Sequence, residues 1–527
     1  LIESGLQVAP EALEYILLLE TPIETVKSIL IPNAGTKHPP VLSRPYIESL
    51  IERLDTNPAQ EASEVTINEP TILPNDSITP PSLVDDEAGW MFRIEKSPDS
   101  EQVGSEGTVE DFLALFKDRF NRIKRIYMSR IDTQNAVSPQ VAKLRKDSAK
   151  QRRAMTREGM RSTQHTTQTV LGIIKNKSIS QSRNVIIELE DEEDSIICII
   201  PATKEGLKGH QLFEKANSLL LDEVTCISGF VDENARMIAD DVIFPDIPTA
   251  REVGRAKRDV YAIFISDTHC GSKEFLEDEF DKFIDWTNGS GVDEEDKALV
   301  KRIRYLFIAG DMVDGISVYP TQRDDLEIES IYDQYALFAT KLSKLPKQIK
   351  IFCIPGNHDA DRQALPKPPI SNEFAKPLYD LGDRITMLGD PSQVVVEGVN
   401  VLMTHGDSMD DLVTSIPGAS YTEPAISMKE LLKKRHLVPT YGGKTELAPL
   451  HRDWMVIDTP PDVVHFGHAH HNAVDNYRGV QIINSGTFQS QTDFMRKQGV
   501  VPTPGIVTLM NLRTGAPDVR FFYDLST

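Results

Sequence analysis

Seven side chains able to hold metal ions follow runs of apolar, β-prone residues in the second half of the chain. They lie in five short motifs: Asp267-Thr268-His269, Gly310-Asp311-Met312-Val313-Asp314, Gly356-Asn357-His358-Asp359, Thr404-His405-Gly406 and Gly467-His468-Ala469-His470. Asp267 and His269 stand two apart where a strand ends, so both can point to one side, and His468 and His470 repeat the device. Asp311, Asn357 and His405 each follow a strand of their own. A set of carboxylate, amide and imidazole without thiolate suits Mn²⁺, or another divalent ion with open coordination positions, better than structural zinc. Mg²⁺, Fe²⁺ and catalytic Zn²⁺ stay open. Two such ions about 3.5–4 Å apart answer the central difficulty of phosphodiester cleavage, which is bringing a nucleophile to an anion. They lower the pKa of a shared water, neutralise the phosphate oxygens and hold the in-line geometry. Asp311 is the candidate bridging ligand, since a carboxylate can offer one oxygen to each ion. His358, beside Asn357, is placed to protonate or stabilise the leaving oxygen, or to hold the scissile phosphate. Each motif alone is a common turn sequence. Together and in this order they indicate a two-metal phosphoesterase.

Neighbouring residues fit supporting roles. Cys270 reads as a small buried filler, and His465 and His471 as hydrogen-bond partners of the ligands. His451, Arg362 and Asp359 are open between substrate contact and ligand support.

The elements that must position these residues alternate. Apolar strands at 260–266, 304–309, 349–354, 399–404 and 463–466 are separated by helical segments such as 275–286 and 331–342, which implies sheets covered by helices with the functional loops at strand carboxyl ends. Ahead of them, five β-prone runs between 169 and 244 suit a small barrel of the OB type. Its acidic stretch, Glu188–Asp194, favours protein docking over a phosphate backbone. A helix is expected from Val109, where Phe112, Leu115, Phe116, Phe120, Ile123 and Ile126 share one face. The run from Lys143 to Arg161 is basic, and reads equally as a solvated face or a nucleic-acid contact. Residues 56–107, rich in Pro, Ser, Asp and Glu, read as an acidic tether. Residues 1–55 read as a small helical domain, with a helix start at Thr21-Pro22-Ile23-Glu24.

The reading is therefore a multidomain α/β chain: helical domain 1–55, tether 56–107, basic helical connector 108–165, OB-type barrel 166–250 and two-metal phosphoesterase domain 251–527. Its 527 residues agree with several domains. The formal charge of −23 is uneven. Residues 1–110 carry 20 acids and 6 bases, whereas residues 111–165 carry 5 acids and 14 bases, so a local basic stretch stands in an acidic whole. Four cysteines without CxxC spacing argue against a zinc ribbon or disulfide framework. They fit a reducing, cytoplasmic setting, and no apolar run approaches membrane length.

The motif set resembles the calcineurin-like phosphoesterase superfamily. It is more closely similar to the small subunits of archaeal family D DNA polymerases, through Ser266-Asp267-Thr268-His269-Cys270-Gly271-Ser272-Lys273, Gly310-Asp311-Met312-Val313-Asp314-Gly315-Ile316, Pro355-Gly356-Asn357-His358-Asp359-Ala360, Asn484-Ser485-Gly486-Thr487-Phe488-Gln489 and Pro502-Thr503-Pro504-Gly505-Ile506. The similarity covers roughly residues 110–527. It implies a 3′–5′ exonuclease that proofreads for a large catalytic polymerase subunit, onto which the barrel and phosphoesterase faces dock. Its other partners would be DNA, as a single strand or frayed 3′ end, and as a further candidate the sliding clamp; no membrane is involved. By the same resemblance Asp267, His269, Asp311 and His470 would hold one ion, Asp311, Asn357, His405 and His468 the other, and His358 would be the catalytic histidine. One departure is that Asp407 stands two after His405, where several relatives carry a basic residue.

Two other readings compete. A non-catalytic scaffold would have lost ligands, whereas all seven and His358 are present. A break-repair-type nuclease of the same superfamily would place its phosphoesterase domain first, whereas here a barrel precedes it.

Overall fold

The computed structural model describes residues 89–145, 167–202 and 207–523, and beyond these only two-residue strands at Gln7–Val8, Val41–Leu42 and Val84–Asp85. Residues Leu1–Thr79 form a unit of their own, of which one parallel ladder is described, Gln7 with Val41 and Val8 with Leu42. The helix patterns read over 1–55, most of the tether and the basic run beyond Arg145 lie outside the described residues.

Within Pro80–Thr527, the second unit, the ligand-bearing strands belong to two mixed sheets. The six-stranded sheet has the order Ile385–Met387, Lys350–Ile354, Ile303–Ala309, Tyr261–Ile265, Ile506–Asn511, Pro517–Phe521. Its first four strands are parallel. They are apolar almost throughout because both faces are covered. Tyr305, Phe307 and Ala309 face the core between the sheets, while Leu306 and Ile308 face helices. The rings of Phe264, Phe307 and Phe352 stack in sequence across three strands, with centroids 5.2 and 5.3 Å apart. The seven-stranded sheet runs Ala473–Tyr477, Val480–Asn484, Val463–Phe466, Val399–Met403, Ser392–Val396, Met91–Lys96, Val84–Asp85. Its outer face packs on the helices Met409–Ser415 and Pro424–Lys434. Met91–Lys96 falls inside the stretch read as tether. It pairs antiparallel with Ser392–Val396, and Phe92 and Ile94 pack on the core between the sheets, so the chain joins the fold before residue 107.

The five β-prone runs form a closed barrel, ordered Gln168–Ile179, Val185–Glu190, Ser195–Ile200, Met237–Ile243, Val224–Val231. Val185, Ile187 and Leu189 are buried while the alternate residues are half-buried, as a barrel wall requires. Lys143, the first residue of the basic run, pairs with Asp194 at 2.8 Å, and Lys175 pairs with Glu190 at 2.8 Å, which offsets part of the acidic stretch.

The helix Val109–Met128 begins at a capping box formed by Thr108 and Asp111. Its inner face carries two arginines as well as the expected apolar stripe. Fully buried Arg119 donates through Nε to Asp453 at 2.7 Å, and through one terminal nitrogen to the carbonyls of Asp222 at 3.0 Å and Pro439 at 2.6 Å. One guanidinium thus ties the helix to the barrel and to the phosphoesterase sandwich.

Asp453 also accepts from His436 Nε2 at 2.8 Å, while His436 Nδ1 accepts from the Val438 N–H at 3.1 Å, the bonding of a neutral ring. Burial pushes the His436 pKa down to about 4 against the pull of Asp453. An unfolded histidine protonates near 6.5, so between pH 6.5 and 4 the unfolded chain binds more protons and stability falls as pH falls. The full loss at this residue is about 3 kcal/mol. Thermal melts of the wild type and His436→Gln should separate over that range, the variant showing the flatter dependence on pH. Parallel curves would refute the assignment.

All four cysteines are free and buried. Burial pushes the Cys270 thiol well up, consistent with a filler. No helix among the described residues is long and apolar enough to cross a membrane.

Candidate metal centre

Strand ends from both sheets converge on one rim. Asp267 lies two residues beyond Ile265, Asp311 two beyond Ala309 and Asn357 three beyond Ile354, all from the six-stranded sheet. His405 lies two beyond Met403 and His468 two beyond Phe466, from the seven-stranded sheet. Five of the seven residues, Asp267, His269, Asp311, His468 and His470, have φ between 49° and 65°, in the left-handed region. Side chains rarely adopt it without support from their surroundings. That support is visible. Asp267 accepts from the His468 N–H at 3.1 Å, fastening one sheet's loop to the other's. Asp359 accepts from the Gly356 N–H at 2.9 Å, the Met312 N–H at 3.3 Å and the Tyr335 hydroxyl at 3.0 Å, joining the Asn357 and Asp311 loops. A Cβ at Gly356 would lie 2.0 Å from Asp311 Oδ1, and one at Gly310 would lie 2.6 Å from His405 Nδ1. Only glycine admits such close approach.

The structure brings all seven side chains together in two adjoining nests. In the first, Asp267, His269, Asp311 and His470 each offer an atom within 4.8 Å of the others. His269 Nε2 lies 3.0 Å from His470 Nε2 and 3.6 Å from Asp311 Oδ2, and His470 Nε2 lies 3.4 Å from Asp267 Oδ1. In the second nest, Asn357 Oδ1 lies 2.9 Å from His405 Nε2 and 3.1 Å from His468 Nδ1, and His405 Nε2 lies 3.3 Å from Asp311 Oδ2. Asp311 therefore belongs to both. Its Oδ2 is the oxygen that lies near both, while Oδ1 accepts from the His358 N–H at 2.8 Å.

The donor set fits divalent cations. His269 Nδ1 bonds Asp314 at 3.0 Å, His405 Nδ1 bonds the Ala309 carbonyl at 2.8 Å, and His468 Nε2 bonds Asp410 at 2.9 Å. With the outer nitrogen donating, each ring turns its other nitrogen's lone pair inward. The charges agree. Burial opposes ionisation at the centre, yet facing imidazoles hold the Asp311 carboxyl well below its usual range, and the Asp311 carboxylate pushes His405 up to about 10. The proton so held on the inward nitrogen of His405 stands where a divalent ion would sit, and binding of the ion would release it and free the lone pair.

His358 sits at the first nest, its ring 4.6 Å from that of His269 and nearly perpendicular to it. Its Nδ1 donates to the Asp314 carbonyl at 2.7 Å, which leaves Nε2 to the cleft. That cleft, about 530 Å³, is lined by His269, Asp311, Asn357, His358, His468 and His470 among others.

Other expectations resolve differently. His465 bonds Ser485 at 2.7 Å and packs on Phe264 in the core. It supports no ligand side chain directly, and among the described residues no ligand bond is found for His471. His451 is exposed and meets Asp111 at the start of the connector helix. Arg362 holds the carbonyls of Pro366 and Val103. Asp407 is spent on buried Lys367 at 2.8 Å. The ligand supports that sequence reasoning missed are Asp314 and Asp410. Asp314 was visible within the Gly310 motif, three residues after a ligand. It also accepts from Gln322 and Gln489, both at 3.0 Å. Asp410 had no sequence signal.

The family model of calcineurin-like phosphoesterases matches residues 261–472. DNA polymerase II small subunits resemble a larger part of the chain. That of Archaeoglobus fulgidus is 40% identical over 79% of this chain and 78% of its own length. That of Methanocaldococcus jannaschii is 39% identical over 77% and 64%, and that of Pyrococcus horikoshii 35% over 89% and 71%. A calcineurin-like domain implies divalent metal binding and hydrolysis of phosphoesters, in keeping with the two nests on the rim. On this identity and coverage, the chain belongs to the family of archaeal DNA polymerase II small subunits, the small subunits of family D DNA polymerases.

Proposed function

We propose that this chain is a 3′–5′ exonuclease that proofreads for the large catalytic subunit of a DNA polymerase, acting on a single-stranded or frayed 3′ end. The observation that carries the hydrolytic reading is the placing of Asp311 Oδ2 beside two nests in which His269, His405 and His468 are each held by a hydrogen bond at the outer nitrogen. The partner rests on the small-subunit family, and the polarity on the motif resemblance given by the sequence. In this reading Asp267, His269, Asp311 and His470 hold one ion, and Asp311, Asn357, His405 and His468 hold the other, with Mn²⁺ the best match to the donor set.

Bound divalent ions would supply electrophilic activation of the phosphate and a water acidic enough to attack it. The chain's own residues do the rest. Asp314 fixes the His269 ring and, through its carbonyl, the His358 ring, so that His358 Nε2 meets a phosphate or leaving oxygen in the cleft. Asp359 and Tyr335 keep the loops of Asp311 and Asn357 in register. We read the barrel as one of the OB type, a reading supported by the parallel closure between its third and fifth strands in chain order and the helix between its third and fourth. It serves to dock the large subunit, and a scaffolding role alongside catalysis agrees with this. The setting is cytoplasmic.

The test is Mn²⁺-dependent degradation of 3′-labelled and 5′-labelled single strands by the wild type and His358→Ala, with and without the large subunit. Stepwise shortening from the 3′ end is expected, slowed about 10²–10⁴-fold in the variant. Absence of nucleolysis in both settings would turn the reading to a scaffold.

A further inference from the structure

We infer that Lys444 anchors a phosphate of the substrate strand adjacent to the scissile one. This rests on the phosphodiesterase reading above. The cleft over the two nests is lined by the carboxylates Asp311, Asp314 and Asp410, and among the described residues Lys444 is its sole lysine or arginine. Two divalent ions would carry four charges against the two carboxylates among the ligands, Asp267 and Asp311, and the surplus serves the scissile phosphate, so the strand's next phosphate needs a cation of its own. Lys444 supplies it. No hydrogen bond or ion pair of its ammonium is found within the described residues, whereas Lys367, which also reaches the His405 loop, is buried and bound to Asp407.

The backbone under this lysine is fixed. The Lys444 N–H donates to Asp411 Oδ1 at 2.7 Å and the Thr445 N–H to Asp411 Oδ2 at 3.0 Å. The Thr445 hydroxyl donates to the Asp407 carbonyl at 3.0 Å. A Cβ at Gly443 would lie 2.4 Å from Asp411 Oδ1, so glycine is what lets the loop come this close. The loop is thus pinned to the segment that immediately follows the ligand His405. A flexible cationic side chain on a fixed base is how a lysine serves as a point-charge anchor for phosphate.

Its place in the cleft says which phosphate. Asp410, whose carboxyl feels Lys444, bonds the outer nitrogen of His468 in the second nest. His358 is at the other end, against His269 and Asp314 of the first nest. Lys444 therefore stands by the second nest and His358 by the first. The scissile group belongs between the nests and His358, and the strand's neighbouring phosphate reaches Lys444.

The experiment compares the full chain, with its large subunit, as wild type, Lys444→Ala and Lys444→Arg. Two probes are used in Mn²⁺ over a series of salt concentrations: a single-stranded oligonucleotide, and bis(p-nitrophenyl) phosphate, which has one phosphate only. For Lys444→Ala on the oligonucleotide we expect KM raised about tenfold with kcat within about twofold, and a salt dependence of log kcat/KM shallower by about 0.7, the loss of one single-strand phosphate contact. Lys444→Arg should restore both, and activity on the small diester should not change. Unchanged KM and salt slope in Lys444→Ala would overturn the inference. An equal loss on both probes would assign Lys444 to the scissile phosphate and overturn it too. A wild type inactive on both probes would instead remove the phosphodiesterase reading on which it rests.

Discussion

Asp311→Asn is expected to remove metal-dependent hydrolysis while leaving the fold in place. The substitution keeps the size of the side chain, and Oδ1 can still accept from the His358 N–H. Asparagine also tolerates the left-handed backbone found there. What disappears is the negative charge that faces His269 at 3.6 Å and His405 at 3.3 Å and serves both nests. Loss of one preorganised electrostatic element typically lowers turnover by about 10²–10³-fold, and here two ion positions lose it together, so a loss of about 10³-fold or more is expected. A second readout does not depend on activity. Mn²⁺ at 100 times its dissociation constant stabilises a protein that binds it only when folded by about 2.7 kcal/mol. The wild-type melting temperature should therefore rise with Mn²⁺ and that of the variant should barely move. Full activity, or an undiminished response to Mn²⁺, would sink the two-nest assignment.

The largest effect on stability is expected away from the cleft, at Arg119. In Arg119→Ala the Asp453 carboxylate keeps, among the described residues, His436 and the Met455 N–H, and the carbonyls of Asp222 and Pro439 lose this donor. Removing one partner of a buried ion pair costs about 3–5 kcal/mol, because the other charge is left without compensation. At about 2.1 cal/mol/K of unfolding entropy per residue, each kcal/mol lowers the melting temperature of a body spanning Pro80–Thr527 by about 1 °C, so a fall of roughly 3–5 °C is expected by calorimetry. Because the same guanidinium touches three bodies of the fold, the transition should also broaden or split as the barrel loosens first. A shift of under about 2 °C would mean that the pair contributes little beyond its own desolvation.

The two cases show what is legible in a sequence. Asp311 could be found because its surroundings are local: a continuous apolar strand, a glycine, then the ligand. The same grammar exposed all seven candidates, and regular turn spacing exposed the barrel. Arg119 looked like an ordinary polar residue on an amphipathic helix. Its partners lie 103, 320 and 334 residues away, and no local pattern marks them. Met91–Lys96 was missed for the same reason: six residues of mixed polarity become a strand only because the Ser392–Val396 edge accepts them. Asp314 and Asp410 support ligands through geometry that spacing alone does not encode. The backbone position of Lys444 is likewise set by Asp411, 33 residues away, as well as by the neighbouring Gly443.

The left-handed backbone at Asp267, His269, Asp311, His468 and His470 bears on whether this chain is a nuclease or an inert prop. At each of these positions the conformation suits glycine, and at each the chain has a bulkier residue. The penalty is about 1 kcal/mol or more per residue, so the five together are comparable to the whole margin by which a typical domain stays folded. His470 is the plainest case, since its Nδ1 finds no partner among the described residues and a prop could take glycine there at little loss. Keeping aspartate and histidine at all five makes sense for a protein whose side chains at those points are worth more to it than its own rigidity.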